Sequence, residues 1–295
     1  MPDRILLLAN KNWEADPLVS VLRSDRASPS KFAFEPPPTV TIQHSGGDKA
    51  VAARLAVKLT NAIAEVWCIQ DLMDPAKNSS SSQEKARVLS PLTTNGPEPS
   101  LVVAFGTAAH PDHHASHNGC AVIGSSVFVH DPHRQDPNPD SQWTHDGIGK
   151  LQNLSGQTIN EAVFKQLERN SSAVEARFLP VPTNPAAPPA LILSKTHVAL
   201  SNVNITNHAN YAWADPEALR ACSQAAPNLS VGSVETTHGV IRLVVPSRQF
   251  VFVSGIANRM GRFDMEVAPR LYAQNFVASH NAAVALAWMM PALAP

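Results

Sequence analysis

Short, uninterrupted apolar runs alternate along this chain with polar stretches punctuated by proline or glycine. Residues 4–10 (RILLLAN) and 101–105 are the clearest such runs, and 121–129, 190–193, 198–205 and 250–255 read as further strands. Runs of this length, bounded by turn residues, predict buried strands that are apolar on both faces. Residues 40–44 predict one more strand. Helices are predicted between them. The first covers 17–23, opened by Pro17, since proline is tolerated in a first turn. A second covers 49–64, where Val51, Leu55, Leu59 and Ile63 recur in steps of four after Gly46-Gly47-Asp48. Others cover 160–170, then 215–225 with Asp215 as N-cap and Pro216 in the first turn, and an Ala-rich closing helix at 267–290. Segment 27–38 is rich in Ser and Pro, 131–160 is polar, and 180–189 is a proline-rich connector, so all three predict loops. Segment 74–99 carries the serine run 79–82 and several prolines, and it predicts an exposed insertion.

Strands alternating with helices predict an α/β fold covered on both faces, a three-layer α/β/α sandwich around a central mixed sheet. Neither flank of the 180–189 connector carries a complete strand and helix set, so residues 1–295 are expected to form one domain with loop insertions near 74–99 and 131–188. No apolar stretch approaches the roughly 18 residues of a membrane span. The apolar start is cut short by Lys11, Trp13 and Glu14, which argues against a signal peptide. A net charge of −1 gives no electrostatic case for a nucleic-acid or membrane partner. The cysteines Cys68, Cys120 and Cys222 are odd in number and far apart, offering neither a disulfide framework nor metal spacing, and a cytoplasmic setting is expected.

In open α/β sheets ligands bind beyond the carboxyl ends of the strands. The residues found there are Asn10, Trp13 and Glu14 after the first run, Gly106-Thr107-Ala108-Ala109 after the second, and His130-Asp131 after the third. Asn202, Asn204 and Thr206 follow the run near 200, Glu235 and Thr236 precede the run at 250, and Ser254 to Asn258 end it. Nearby, His110, His113, His114 and His117 share the spacing of one helix face, a spacing that can hold zinc. Pro111 and Asp112 interrupt that run, so a loop is expected and no metal site is assigned.

These stretches together resemble the nucleoside phosphorylase/nucleosidase superfamily, and within it the methylthioadenosine/S-adenosylhomocysteine nucleosidase branch. NKNWEAD after the first strand is similar to the turn bearing the family's catalytic acid and implies that role for Glu14. VVAFGTAAH is similar to the strand end against which base and sugar lie, implying substrate contacts at Gly106, Thr107 and Ala108. NGCAVIGSSVFVHD resembles the stretch ending in a His-Asp pair. SVETTHGV resembles the segment whose glutamate holds ribose hydroxyls, placing Glu235 there with Val234 and Thr236 as neighbours in contact. VFVSGIAN resembles the strand ending in Ile-Ser-Asp, with Ser254 on the way and Asn258 where aspartate is usual. Asn204, Ile205 and Thr206 stand where the family contacts the base, and Tyr211 is an alternative stacking residue. The final helix resembles the family's closing helix.

The resemblance implies cleavage of the N-glycosidic bond of a purine nucleoside. That reaction builds positive charge on the sugar and negative charge on the base, so an enzyme needs a carboxylate near one and donors near the other. Glu235 suits the first task, Glu14 would activate or orient water, and Asn258 can donate an amide hydrogen bond but no proton. An asparagine there matches the phosphorylases that prefer 6-oxopurines and makes hypoxanthine or guanine nucleosides candidates beside adenine ones. The residues directly before Gly106, Val103-Ala104-Phe105, include no arginine and the first turn, Asn10 to Asp16, lacks glycine, which favours water over phosphate. Arg54, Arg259 and Arg262 remain without a role, and a neighbouring subunit can supply an arginine. A phosphate-dependent phosphorylase is therefore the alternative, with phosphate as co-substrate. Further alternatives are a non-catalytic nucleoside-binding relative and a metal-dependent hydrolase built on the histidines. No organic cofactor is implied. The expected partners are a nucleoside and further copies of the chain, as a dimer, trimer or hexamer.

Overall fold

The computed structural model describes residues 3–27, 29, 31–94, 97–112, 114–132, 142–153, 161–193 and 196–293. Its strands are β1 (Asp3–Ala9), β2 (Ala33–Glu35), β3 (Thr39–His44), β4 (Gly47–Ala52), β5 (Leu55–Lys58), β6 (Ala62–Cys68), β7 (Leu101–His110), β8 (Ala121–Gly124), β9 (Ser126–His130), β10 (Leu151–Gln152), β11 (Leu191–Leu193), β12 (His197–Asn202), β13 (Ser230–Glu235) and β14 (Gln249–Arg259). Its helices are α1 (Asn12–Arg23), α2 (Ile69–Leu72), α3 (Ser82–Leu89), α4 (Pro91–Thr94), α5 (Glu161–Arg169), α6 (Ser171–Glu175), α7 (Tyr211–Ala225), α8 (His238–Val244), α9 (Phe263–Glu266) and α10 (Ala273–Met289).

The strands other than the β3–β4 hairpin join in one mixed sheet, running β10-β9-β12-β13-β7-β1-β6-β5-β2, with β14 beside β7 and leading through β8 to β11. The pleat of β1 shows why two faces must be covered. Ile5, Leu7 and Ala9 pack on one side with Leu18, Val21 and Leu22 of α1 and Ala282 to Leu286 of α10. Leu6 and Leu8 pack on the other with Val88 and Leu89 of α3 and Val240 and Ile241 of α8. Successive strand residues point to opposite faces, so a strand apolar at every position needs a helical layer on each side. This is the expected three-layer sandwich. Helix α10 presses so closely on β14 that a side chain at Gly255 would collide with the carbonyl of Ala278.

Several sequence expectations need correction: the first helix starts at Asn12, so Pro17 lies inside it rather than opening it, and the run 121–129 divides into β8 and β9. Residues 49–64 are not a helix but the strands β4 and β5 and the start of β6. A step of four is a multiple of the strand period of two, so Val51, Leu55, Leu59 and Ile63 fit either periodicity. The turn at Ser45-Gly46, followed by Gly47 at φ 110°, closes the β3–β4 hairpin and decides the matter. Segment 74–99 is not a surface insertion throughout: Ser81 caps α3 by accepting from the Glu84 backbone N–H at 3.2 Å, and Glu84, Lys85, Val88 and Leu89 are buried. Helix α7 starts at Tyr211, so Asp215 lies inside it and is not its N-cap. The closing helix starts at Ala273 because Leu271 and Tyr272 take positive φ, 49° and 64°.

Within the remaining expectations, the helix at 160–170 and the strands near 4–10, 101–105, 190–193 and 250–255 are present, the last extended to Arg259. Residues 133–141 and 154–160 of the expected 131–160 loop lie outside the described residues. No described helix is long and apolar enough to cross a membrane.

Candidate active site

Beyond the carboxyl ends of β1, β7, β13 and β14 lies a cavity of about 290 Å³. Strand register assembles it. Ala9 is level with Phe105, and Gly106 is level with Ser254, so the chain leaving β1 runs beside Gly106 and Thr107 while Asn258 comes level with Ala109.

Glu14 lies in the first turn of α1 and is buried. Its Oε2 accepts the backbone N–H groups of Asn10 and Lys11, each at 2.9 Å. Its Oε1 accepts the Thr107 backbone N–H at 2.7 Å and the Thr107 hydroxyl at 2.8 Å. Four donors on one carboxylate fix its position. Gly106 makes this approach possible. A Cβ there would sit 3.1 Å from Glu14 Oε1 and 3.3 Å from His238 Nε2.

Glu235 ends β13, and its Oε2 accepts backbone N–H groups of Thr237 and of His238, the latter at 2.7 Å. These are the first free donors of α8, a favourable seat for a carboxylate. Its Oε1 is buried without a hydrogen-bond partner, 3.9 Å from His238 Nδ1. A buried acceptor left open in a cavity wall is a place for a ligand donor.

Lys85 reaches the same wall from α3, donating to Thr237 Oγ1 at 2.9 Å. Burial, reinforced by Lys11, pushes its ammonium down to about 7, while Glu235 and Glu14 oppose the shift. Lys11 also lines the cavity, and its Nζ donates to the Ser79 carbonyl at 2.7 Å. Burial lowers its pKa as well.

Aromatic and amide side chains complete the lining. Trp13 and Tyr272 stack at 4.9 Å, and Phe263 stands 6.2 Å from Tyr211 and 6.3 Å from Tyr272. Asn258 donates through Nδ2 to the Arg259 carbonyl at 2.7 Å. Asp215 also lines the cavity, and its Oδ1 accepts from Asn202 Nδ2 at 2.6 Å.

Of the residues singled out from sequence, Glu14, Gly106, Thr107, Ala108, Thr206, Tyr211, Val234, Glu235, Thr236 and Asn258 all line this cavity. Three do not. Ser254 is fully buried and bonds Ser233 at 3.1 Å. Asn204 adopts φ 63° and binds Asp131 and Trp143. Ile205 is packed in the interior. Residues missed from sequence include Lys11, Lys85, Asp215, His238, Phe263 and Tyr272. The capping pattern Ser81-x-x-Glu84 was the signal available for Lys85, because it starts a helix inside the segment taken for a loop.

The histidines form a separate cluster. His110 and His117 stack at 4.0 Å, and one donor atom each from His110, Asp112 and His117 lie within 4.8 Å of one another. Burial and His117 push His110 down to about 4. None of these residues lines the cavity, and His113 lies outside the described residues. Of the unassigned arginines, Arg54 pairs with Asp16 and Asp71, Arg259 pairs with Glu266, and Arg262 reaches Met265. Among the described residues no arginine lines the cavity.

The architecture is that of the nucleosidases that act on 5′-methylthioadenosine and S-adenosylhomocysteine. One structure of an MTA/SAH nucleosidase superposes with a TM-score of 0.56 at 13% identity, covering 99% of this chain and 96% of its own. The Helicobacter pylori nucleosidase, complexed with an aminopyrrolopyrimidine compound, gives 0.52 at 13% identity, with 99% of each chain covered. The Neisseria meningitidis nucleosidase with methylthio-immucillin-A gives 0.51 at 12% identity, covering 99% of this chain and 100% of its own. At these identities the likeness is one of fold. No family profile and no curated protein matches the sequence.

Proposed function

We propose that this protein hydrolyses the N-glycosidic bond of a purine nucleoside or a related ribosyl compound. The observation that carries the reading is the placement of Glu14 and Glu235 on one cavity at the strand ends of a nucleosidase fold. Glu235, with Oε1 unpaired, would accept the ribose hydroxyls and stabilise the cationic sugar. Glu14, held by Thr107 and the β1 turn, would orient or deprotonate the attacking water. The stacked aromatic wall and Asn258 would receive the base, by stacking and by an amide hydrogen bond. Neighbours of this fold bind adenine-like compounds, whereas Asn258 suits a 6-oxopurine equally, so the substrate class proposed is a purine nucleoside of either kind. The reaction so written uses no organic cofactor.

A phosphate-dependent reaction is the second reading, and one observation favours it: Lys11 and Lys85 face the cavity and would attract an anion where arginines are missing. The chain is proposed to work as one domain, as a homo-oligomer in the cytoplasm. The exposed Met265, Leu271, Tyr272 and Phe276, beside the aromatic wall, support the association. The deciding experiment is base release from a panel of purine and pyrimidine nucleosides, followed by chromatography, with and without phosphate. Release without phosphate supports the hydrolase; release only with phosphate selects the phosphorylase. Binding without release from any nucleoside would contradict both.

A further inference from the structure

The arrangement above leaves the departing base without a source of a proton. Glu14 accepts on both oxygens, and Oε2 of Glu235 accepts two backbone donors. Asn258 has amide hydrogens only, and its Nδ2 donates to a backbone carbonyl. Lys85 is held at Thr237, beside Glu235, and His238 stands on that same side of the cavity, against Gly106. Burial pushes the Tyr211 phenol further up from its ordinary value, so it holds its proton too tightly to give it away.

One carboxyl remains. Asp215 faces the cavity from α7, although only 4% of its surface is exposed. One oxygen, Oδ1, accepts from Asn202 Nδ2 at 2.6 Å, and Asn202 Oδ1 in turn meets His130 Nδ1 at 2.9 Å. The orientation is self-consistent: His130 donates to the amide oxygen and the amide donates to the carboxyl. Among the described residues Oδ2 has no hydrogen-bond partner. It is the oxygen able to carry a proton toward a ligand.

We propose that Asp215 is the general acid that protonates the leaving base, held toward the cavity by the buried chain from His130 through Asn202. The proposal rests on the N-glycosidase reading. In the step, the proton on Asp215 Oδ2 passes to a ring nitrogen of the base. The C1′–N bond breaks with its electron pair remaining on that base. Water oxygen bonds C1′, and the proton it loses goes to Glu14. Both carboxyls then exchange protons with solvent, so the balance is nucleoside plus water to base plus sugar. Burial raises the Asp215 carboxyl to about 7, against the opposing hydrogen bond from Asn202, which keeps a fraction protonated near neutrality. The charged or titratable groups around it include Tyr211 on the same helix, on which Glu235 also acts, and His130 behind Asn202.

The test compares a purine nucleoside with 4-nitrophenyl riboside, whose leaving group departs without protonation. Asp215→Asn should lower kcat/KM for the purine nucleoside at least about 100-fold, within the usual range for a lost general acid. Its loss on the nitrophenyl substrate should be under about tenfold. The wild-type profile should fall as pH rises through about 7, and that limb should vanish in Asp215→Asn. Asn202→Ala removes a hydrogen bond that lowers the Asp215 pKa, so it should move the limb to higher pH. Equal losses on both substrates, or a limb unmoved in both variants, overturn the proposal. A wild-type protein that releases nothing from either substrate overturns the N-glycosidase reading itself, and this proposal with it.

Discussion

Thr107 gives both its backbone N–H and its hydroxyl to the same oxygen of Glu14, at 2.7 and 2.8 Å. With Asn10 and Lys11 on the other oxygen, every acceptor direction of the carboxylate is occupied. A water that is to be activated must therefore take the place of one donor. The Thr107 hydroxyl is the one that can rotate away. Thr107→Val should thus retain the backbone bond, leave one oxygen direction open, and change kcat by less than about tenfold. Glu14→Gln is the severe case, because its NH₂ must face backbone N–H groups on one side. It should lose at least about 100-fold in kcat and about 1–3 kcal/mol in stability. Steady-state rates and urea unfolding read both effects, and near-wild-type turnover by Glu14→Gln would remove Glu14 from the mechanism.

Glu235 presents the complementary case. Its Oε2 caps α8, while Oε1 is buried and unpartnered. Glu235→Ala should abolish measurable turnover, because the cationic sugar loses its charge partner. The cap loss should cost only about 1 kcal/mol, so circular dichroism and the melting cooperativity should remain those of a folded protein. Glu235→Gln keeps the volume and one acceptor, and should retain weak nucleoside binding without comparable turnover. A Glu235→Ala protein that still releases base at wild-type rate would sink the ribose assignment.

The strands that carry the site were legible because their signal is local. A run such as Ile5 to Ala9 is apolar at each position, and only a doubly covered strand explains it. Glu14 was legible by its place after such a strand, whereas Glu235 was legible only through the resemblance carried by SVETTHGV, because β13 was not among the predicted strands. What escaped was set by tertiary structure. Lys85 reaches the site from a helix whose serine-rich start reads as loop, and its partner Thr237 is distant in sequence. Asp215 looked like a helix cap because Pro216 follows it, yet α7 begins at Tyr211 and the carboxyl turns to Asn202 instead. Asn204 and Ser254 had the right strand-end address but are spent on protein partners. Sequence position locates the edge of the sheet, and packing decides which of its side chains remain free.

Gly106 leaves little room at the cavity lining. A methyl group there would lie 3.1 Å from Glu14 Oε1 and 3.3 Å from His238 Nε2, closer than ordinary contact. Its neighbours cannot both yield, since Glu14 is held by four hydrogen bonds. Gly106→Ala should therefore displace the carboxylate before it unfolds the protein. The expected result is a fall of about tenfold or more in kcat with a stability loss of about 1–3 kcal/mol. An alanine variant with unchanged kcat would mean that the position of Glu14 does not govern the rate.

Lys85 links the fold to the site through its charge. In the unfolded chain its ammonium titrates near the ordinary lysine value, whereas burial lowers it to about 7 in the folded protein. Between those values the unfolded state binds more protons than the folded one, so unfolding free energy must rise with pH across that window. Below about 7 the folded protein carries the full penalty of a buried charge, and above it that penalty is progressively relieved. The slope is at most about 1.4 kcal/mol per pH unit for one proton. Lys85→Met, similar in length and without charge, should remove this rise and should be stabilising at pH 6 relative to wild type. Urea midpoints measured from pH 6 to 9 on both proteins isolate the effect, because the other titrating groups are common to them. Parallel curves for the two would show that Lys85 keeps its charge in the folded state. That outcome would strengthen the phosphate-dependent reading, since a permanently charged lysine in the cavity wall is the better seat for an anion.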